Sequence, residues 1–232
     1  MLVKEWEKLP ENMRIPEVRP YWEILRKKNF SLFWKRVFDI IVSAIALVLL
    51  CPLFLGLAIA IKIDSNGPVF YRQIRITQYG KEFRIHKFRS MCDGADKKGS
   101  LVTVKGDSRV TRVGKFIRKY KLDELSQLID VFQGNMSFVG TRPEVPKYVD
   151  KYTPEMLATL LLPAGITSEA SIKYKDENNL LDNASDVDAV YLCKVLPEKM
   201  KYNIQAIKTI SFGGDIATIL RTVFAVLGKE HR

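Results

Sequence analysis

Residues 40–61 form a run of 22 positions without a charged side chain, bounded by Asp39 and Lys62. As an α-helix this run would rise about 33 Å, which matches the hydrocarbon thickness of a bilayer. Fourteen of its residues are Leu, Ile, Val or Phe, and on an insertion scale they contribute roughly −4 to −8 kcal/mol. Pro52 lies near the middle, where it removes a backbone hydrogen bond and clashes with the preceding turn. The sequence therefore predicts a membrane-inserted helix that is sharply bent at Pro52.

Two topologies fit such a bent helix: a kinked span, or a re-entrant helix that returns to the face it entered from. Residues 1–39 carry nine Lys or Arg, and residues 62–89 carry seven. A spanning segment normally has its excess of positive charge on one side only. The similar charge of the two flanks favours the re-entrant helix, with both ends on the cytoplasmic side.

The overall charge of the chain is consistent with a membrane surface. The formal net charge is +11 and the pI is near 9.5. Because basic residues border the apolar run, they suit anionic lipid head groups and phosphorylated substrates better than nucleic acid. We therefore expect membrane lipids and no nucleic acid as partners. Outside the apolar run, enough chain remains for one compact domain.

A second informative stretch covers residues 121–132. Apolar residues recur here at helical spacing, at Leu122, Leu125, Leu128, Ile129 and Phe132. Asp123 and Glu124 lie off that face, so we expect both at the exposed first turn of an amphipathic helix. Acidic residues at such a position often only stabilise the helix dipole. A carboxylate pair there can also hold Mg²⁺ or attack phosphorus, which points to phosphoryl transfer.

The remaining elements are predicted from local patterns. Residues 69–76 and 82–88 are rich in β-formers on either side of a turn, which predicts a β-hairpin. Residues 110–120 read as a basic helix, and Asp215 is expected to cap a terminal amphipathic helix. His86, in the hairpin, is interpreted as a packed or exposed histidine rather than a catalytic base.

Several motifs occur in an order that resembles a known family. They are Lys35-Arg36-Val37-Phe38-Asp39, Gly67-Pro68-Val69-Phe70, Lys87-Phe88-Arg89-Ser90-Met91, Leu122-Asp123-Glu124-Leu125, Met136-Ser137-Phe138-Val139-Gly140 and Gly165-Ile166-Thr167. From about Lys35 to its C-terminus the chain resembles the bacterial sugar transferases, the small monotopic phosphoglycosyl transferases that act on polyprenyl phosphate.

The resemblance implies an α+β fold that is predominantly helical and monotopic in the membrane. Its parts would be a re-entrant membrane helix (35–63) and a cytoplasmic catalytic domain with a β-hairpin and surface amphipathic helices (64–232). Residues 1–34 lie outside the resemblance and are predicted as an N-terminal extension. The expected location is the cytoplasmic membrane of a bacterium, with the catalytic domain on the cytoplasmic face. The sequence also allows a homodimer.

The resemblance further implies a reaction and roles for single residues. A sugar 1-phosphate would pass from a UDP-sugar to polyprenyl (undecaprenyl) phosphate, releasing UMP and starting a surface glycan. Asp123 matches the family's nucleophile, and Glu124 its acid that binds Mg²⁺. Basic residues at Lys87, Arg89, Arg118, Arg142 and Lys175 would bind the substrate phosphates.

Three of the departures from the family pattern bear on whether the chain is active. Asn135 stands where an aspartate is usual, Thr141 replaces the first proline of Pro-Arg-Pro, and Ala164 is an extra residue. These departures leave a second hypothesis open, in which the chain is a catalytically inactive basic membrane adaptor on the same scaffold.

Overall fold

A computed structural model describes residues 2–95, 107–174 and 187–227. This part of the chain is predominantly helical and has two small two-stranded sheets. The α-helices are α1 (Arg19–Lys27), α2 (Asn29–Leu49), α3 (Cys51–Asp64), α4 (Arg112–Lys119), α5 (Gln127–Gln133), α6 (Pro146–Val149), α7 (Glu169–Lys173), α8 (Val187–Val190), α9 (Leu196–Lys208) and α10 (Phe212–Leu227). The strands are β1 (Phe70–Ile76), β2 (Glu82–Phe88), β3 (Met136–Val139) and β4 (Ala164–Thr167). Short 3₁₀ segments lie at Trp6–Lys8, Glu11–Met13, Gln78–Gly80, Leu122–Glu124 and Glu155–Leu161, and the π-helical turn Tyr191–Val195 joins α8 to α9.

The apolar run forms α2 and α3, which meet at Leu50 with a bend of 61°. Pro52 lies in the first turn of α3, where a backbone N–H would have no intrahelical partner in any case. The predicted break at Pro52 is thus confirmed, and it falls just ahead of the proline. Within the described ranges, no helix alone is long and apolar enough to cross a membrane. The bent pair α2–α3 does meet those criteria of length and composition.

Much of the apolar surface of the α2–α3 pair is uncovered. The large apolar side chains that are more than half exposed are Phe30, Ile41, Ile45, Val48, Leu49, Leu55, Ile59 and Ile63. Contiguous apolar surface of this kind marks a place where a protein meets another apolar phase or partner.

The first half of α2 is held to the domain through buried polar contacts. Lys35 Nζ donates to Asp215 Oδ2 at 2.6 Å and to the Val139 carbonyl at 2.9 Å. The prediction that Asp215 caps α10 is therefore wrong, because the helix already begins at Phe212 and the carboxylate of Asp215 is engaged by Lys35. The side chain of Ser211 takes the capping role instead, since its Oγ accepts from Gly214 N at 3.1 Å.

The N-terminal segment is part of the main hydrophobic core. Its buried residues are Val3, Leu9, Met13, Val18, Tyr21 and Leu25, and they pack against the 155–161 segment and α9. The tip of the hairpin also contacts the N-terminal segment, because Tyr79 Oη accepts a hydrogen bond from Lys4 N at 3.0 Å. The packing therefore shows no break at residue 34, and α2 begins at Asn29, before the predicted bound at residue 35.

Replacing Leu25 by Ala tests how much this segment contributes to stability. Leu25 is fully buried, and such truncations in a core remove packed methyl groups and leave a cavity. We expect the free energy of unfolding to fall by about 2–5 kcal/mol, seen as a lower melting temperature in detergent. Lys27→Ala, at an exposed position of the same helix, should change little. An unchanged melting temperature for Leu25→Ala would show that the segment is not part of the cooperative core.

The two sheets present the residues of the site. β1 and β2 pair antiparallel as the predicted hairpin, with Tyr71 opposite Lys87. β3 and β4 pair parallel, and the loop that leaves β3 is held close to β4. A Cβ on Gly165 would lie 2.1 Å from Gly140 N, so only glycine fits there, and Gly165 N donates to the Thr141 carbonyl at 2.8 Å. This close approach fixes the loop that carries Arg142.

Candidate active site

Asp123 and Glu124 lie in the 3₁₀ turn between α4 and α5. Lys121 adopts a left-handed conformation (φ 56°) that ends the preceding basic segment. α5 begins only at Gln127, and both acids are half-buried. The prediction of an exposed helix start is therefore wrong: the turn packs against β2, where Ser126 Oγ contacts both the His86 and the Asp123 carbonyl oxygens, at 3.0 and 3.2 Å.

Glu124 is the point at which two of the predicted basic residues meet. Arg142 Nη2 donates to Glu124 Oε1 at 2.5 Å, and Lys87 Nζ donates to the same oxygen at 3.2 Å. Burial favours the neutral acid, but the charges of Arg142 and Lys87 outweigh it and hold the pKa of Glu124 well below its usual range. Glu124 is therefore ionised near neutral pH.

The carboxyl group of Asp123 is in a different environment. Burial and the negative charge of Glu124 raise its pKa, against the opposing charges of Lys87, Lys121 and Arg118. Its Oδ1 atom is buried and has no hydrogen-bond partner among the described residues. Two adjacent carboxyl groups whose pKa values are moved in opposite directions are typical of sites where the two have separate tasks.

The cations around the Asp123–Glu124 dyad come from separate parts of the chain. Lys87 lies on β2, and Arg142 on the loop after β3. Burial lowers the pKa of Lys87, while the charge of Glu124 acts in the opposite direction. Arg118, on α4, is close enough for its charge to lower the pKa of Asp123. The structure thus brings together Asp123, Glu124, Lys87, Arg142 and the charge of Arg118.

Two predicted substrate-binding residues are not placed with this group. Arg89 is buried, and its guanidinium donates to the carbonyl oxygens of Ser65 and Asn66, the latter through a very short contact. These contacts give Arg89 a structural role in the turn after α3. Lys175 lies outside the described residues. The substrate-binding roles of both residues stay predictions.

A buried network behind the Arg142 loop was not predicted. Arg75 donates to the Pro143 carbonyl at 3.0 Å and lies 3.9 Å from the Glu144 carboxylate. Glu144 in turn accepts from Tyr191 Oη at 2.5 Å. The position of Glu144 directly after Arg142-Pro143 was a usable signal in the sequence. Nothing in the local pattern points to Tyr191, which is 47 residues away.

The oxygens of the dyad can be tested as ligands for Mg²⁺. This ion prefers hard oxygen ligands and is commonly held by one or two carboxylates, with phosphate oxygens and water completing the shell. Arg142 Nη1 contacts Glu124 Oε2 at 3.4 Å, and Asp123 Oδ1 has no hydrogen-bond partner among the described residues. Within the described ranges, no three metal-ligating side chains come together. The two oxygens fit Mg²⁺ if a substrate diphosphate supplies further ligands.

This arrangement has the components needed for displacement at phosphorus. Asp123 can act as a nucleophile once ionised. Arg142 and Lys87 provide charge-assisted donors that suit phosphate oxygens, and Glu124 holds both cations beside the nucleophile.

Comparison with known proteins agrees with this chemistry. The family model for bacterial sugar transferases matches residues 30–229. The chain is 35% identical to UDP-N-acetylgalactosamine-undecaprenyl-phosphate N-acetylgalactosaminephosphotransferase of Aeromonas hydrophila, over 84% of this chain and 44% of the relative. It is 34% and 35% identical to UDP-glucose:undecaprenyl-phosphate glucose-1-phosphate transferases of Klebsiella pneumoniae and Caulobacter vibrioides, over 84% and 85% of this chain and 40% and 71% of those relatives.

The chain thus spans less than half the length of the first two relatives. The matched region nevertheless begins at the second residue of α2 and extends past β4, so it contains both acids and the described cations around them. The chain belongs to the bacterial sugar transferase family.

Proposed function

We propose that this chain transfers a sugar 1-phosphate from a UDP-sugar to polyprenyl phosphate, releases UMP, and so starts the assembly of a surface glycan. The observation that carries the proposal is the grouping of Asp123 and Glu124 with Lys87 and Arg142, contributed by three separate segments. The names of the relatives supply the substrate class, a nucleoside diphosphate sugar and undecaprenyl phosphate.

In the first step, a carboxylate oxygen of Asp123 attacks the phosphorus that carries the sugar. The bond from that phosphorus to the bridging oxygen breaks, UMP leaves with the electron pair, and an aspartyl phosphosugar remains. The raised pKa of Asp123 keeps the carboxylate basic, which favours attack once the group is ionised.

In the second step, an oxygen of polyprenyl phosphate attacks the same phosphorus. The acyl phosphate bond between the phosphorus and the Asp123 oxygen breaks, which regenerates the carboxylate and yields the polyprenyl diphosphate sugar. Two displacements at one phosphorus imply ping-pong kinetics, because UMP leaves before the lipid reacts.

The cations bind the anionic groups during both steps. Arg142 can offer two parallel donors to a phosphate, and Lys87 on β2 a compact charge. Glu124 orients both cations and, with Asp123 Oδ1, offers oxygens to Mg²⁺. When bound, this ion supplies a positive charge that stabilises the departing UMP phosphate.

The three departures from the family pattern do not involve the acids. Thr77 Oγ1 donates to the Asn135 carbonyl at 2.6 Å and accepts from Ala164 N at 3.1 Å. Thr141 contributes its carbonyl to Gly165 N. The substituted positions therefore support the strands and leave the dyad in place, which favours the enzyme over an inactive membrane adaptor.

An assay of UMP release tests the function. The purified chain is incubated with undecaprenyl phosphate, Mg²⁺ and one UDP-sugar at a time, chosen from UDP-glucose, UDP-galactose and their N-acetyl forms. We expect UMP with at least one sugar, loss of UMP release with EDTA, and recovery when Mg²⁺ is restored. No UMP with any sugar, although the protein binds liposomes, would instead support the adaptor.

We further propose that α2 and α3 form a re-entrant helix in the bacterial cytoplasmic membrane, with the catalytic domain on the cytoplasmic face. Support comes from the 61° bend, the exposed apolar side chains of both helices and the basic flanks. Lys35 and Arg36 on α2 donate to carbonyl oxygens of the domain, and Ser65, just after α3, accepts from Arg89 of the same domain. A homodimer stays a prediction.

Cysteine labelling in whole cells tests this topology. All three native cysteines are replaced, and single cysteines are introduced at Lys27 before α2 and at Lys62 near the end of α3. For a re-entrant helix, a membrane-impermeant maleimide should label neither site until the membrane is permeabilised. Labelling of one site in intact cells would establish a span and contradict the proposal.

A further inference from the structure

A buried histidine and aspartate connect the hairpin to the helix that follows the dyad. The carboxylate of Asp130 on α5 is fully buried, and both of its oxygens contact His86 on β2. Oδ2 accepts from the His86 backbone N–H at 2.8 Å, and Oδ1 lies 2.8 Å from Nδ1 of the ring. One carboxylate thereby fixes both the backbone and the side chain of His86.

The third contact of His86 determines which ring nitrogen carries the proton. Arg72 Nη1, on the neighbouring strand, lies 2.6 Å from His86 Nε2. An arginine can only donate, so Nε2 must accept and be unprotonated. The proton of a neutral ring then lies on Nδ1 and is donated to Asp130. Geometry thus assigns a neutral imidazole with an Nδ1–H.

His86 is also joined to the candidate nucleophile. Ser126 Oγ, which is fully buried, contacts the His86 carbonyl at 3.0 Å and the Asp123 carbonyl at 3.2 Å. Lys87, the next residue along β2, donates to Glu124. A displacement of His86 would therefore move both the main chain that supports Asp123 and the cation on Glu124.

We propose that Asp130 and His86 are positioning residues for the phosphoryl transfer. The bond from the Nδ1–H of His86 to Asp130 sets the placement of β2 against α5, and thereby the placement of Asp123 and Lys87 around the reacting phosphorus. Neither residue touches the dyad carboxylates, so the effect is exerted through the Ser126 bridge and through Lys87. This inference rests on the proposed transferase function.

Two substitutions at His86 separate its two side-chain contacts. In His86→Asn, the amide nitrogen takes the place of Nδ1 and can still donate to Asp130, but the contact with Arg72 is lost. In His86→Gln, the amide oxygen takes the place of Nε2 and can still accept from Arg72, but the contact with Asp130 is lost. Each variant thus loses one side-chain contact of His86 and keeps the other.

The proposal predicts unequal kinetics for the pair, measured as UMP release by protein shown to be folded. His86→Gln should lower kcat about 10- to 100-fold, because small displacements of reacting groups are costly, with a smaller effect on KM for the UDP-sugar. Asp130→Asn should behave like His86→Gln. His86→Asn should retain kcat to within about threefold. Equal activity of the two His86 variants would overturn the proposal, as would a larger loss in His86→Asn.

A measurement on the ring itself needs no activity. The chain has only two histidines, His86 and His231, so ¹⁵N-histidine spectra of untagged protein are assigned with a His231→Gln variant. The proposal predicts a neutral ring with the proton on Nδ1 at neutral pH, and a ring protonated on Nε2 alone would overturn it. If wild-type protein releases no UMP with any sugar, the proposed function fails. If wild-type protein is active but the two His86 variants have the same activity, only the positioning role of His86 and Asp130 is rejected.

Discussion

Replacing Asp123 by Asn should reduce UMP release by at least about 1000-fold, because removal of a covalent nucleophile leaves no group that can form the intermediate. The amide has nearly the same size as the carboxyl group, so packing in the turn is kept. Loss of the charge also removes the cost of burying it and the repulsion from Glu124, which together raise the pKa of Asp123 in the wild-type protein. The variant should therefore be at least as stable as wild-type while being inactive.

A matched control is Asp150→Asn, an isosteric change at an exposed position just after α6. Its rate of UMP release should equal that of wild-type. The Asp123→Asn variant should still bind substrate, because Arg142 and Lys87 remain. Binding is measured as the rise in melting temperature when a UDP-sugar is added. A variant that keeps the wild-type rate would show that Asp123 is not the nucleophile.

Replacing Glu124 by Gln should lower UMP release on the order of 100-fold at a Mg²⁺ concentration that saturates the wild-type enzyme. The neutral amide is a poorer ligand for a hard cation, and it no longer holds the charges of Lys87 and Arg142 at 3.2 and 2.5 Å. We therefore expect both a lower maximal rate and a higher Mg²⁺ concentration for half-maximal activity.

The control for this change is Glu82→Gln, at an exposed position at the start of β2. It removes one negative charge from the same strand that carries Lys87 and should leave the Mg²⁺ titration unchanged. If Glu124→Gln lowered the rate but left the Mg²⁺ titration as in wild-type, Glu124 would only orient the cations. An unchanged rate as well would remove Glu124 from the site.

Features set by local sequence were predictable. The hairpin followed from two β-rich segments around a turn, and its two strands differ from the predicted bounds by one residue at most. The bend followed from a proline within an apolar helix. The basic helix before the dyad was found at Arg112–Lys119, inside the predicted range, because its charges and apolar residues keep helical spacing.

Features that depend on distant partners were not predictable. Asp215 was read as a helix cap because such residues commonly begin helices, but its partner, Lys35, lies 180 positions away. The exposure of the dyad was misjudged because β2 packs against the turn, and periodicity within one segment does not reveal that contact. His86 was interpreted as a packed or exposed histidine; it is packed, but its link to Asp130 needed the tertiary structure.

The N-terminal segment illustrates the same limit. Residues 1–34 were predicted only as an N-terminal extension before the membrane helix, whereas spaced residues such as Met13 and Leu25 are fully buried in the main core. Single apolar residues in an irregular segment carry no periodic signal, so burial could not be inferred from their spacing.

The central claim is that Asp123 forms an acyl phosphate bond to a glycosyl phosphate, and mass spectrometry of the protein and its peptides tests it most directly. The enzyme is incubated with its UDP-sugar and Mg²⁺ but without polyprenyl phosphate, quenched in acid, and digested to locate any added mass. We predict an increase equal to one sugar phosphate on the peptide that contains Asp123, absent in Asp123→Asn and lost when polyprenyl phosphate is added. Release of UMP with no adduct, or with an adduct on another side chain, would contradict the account.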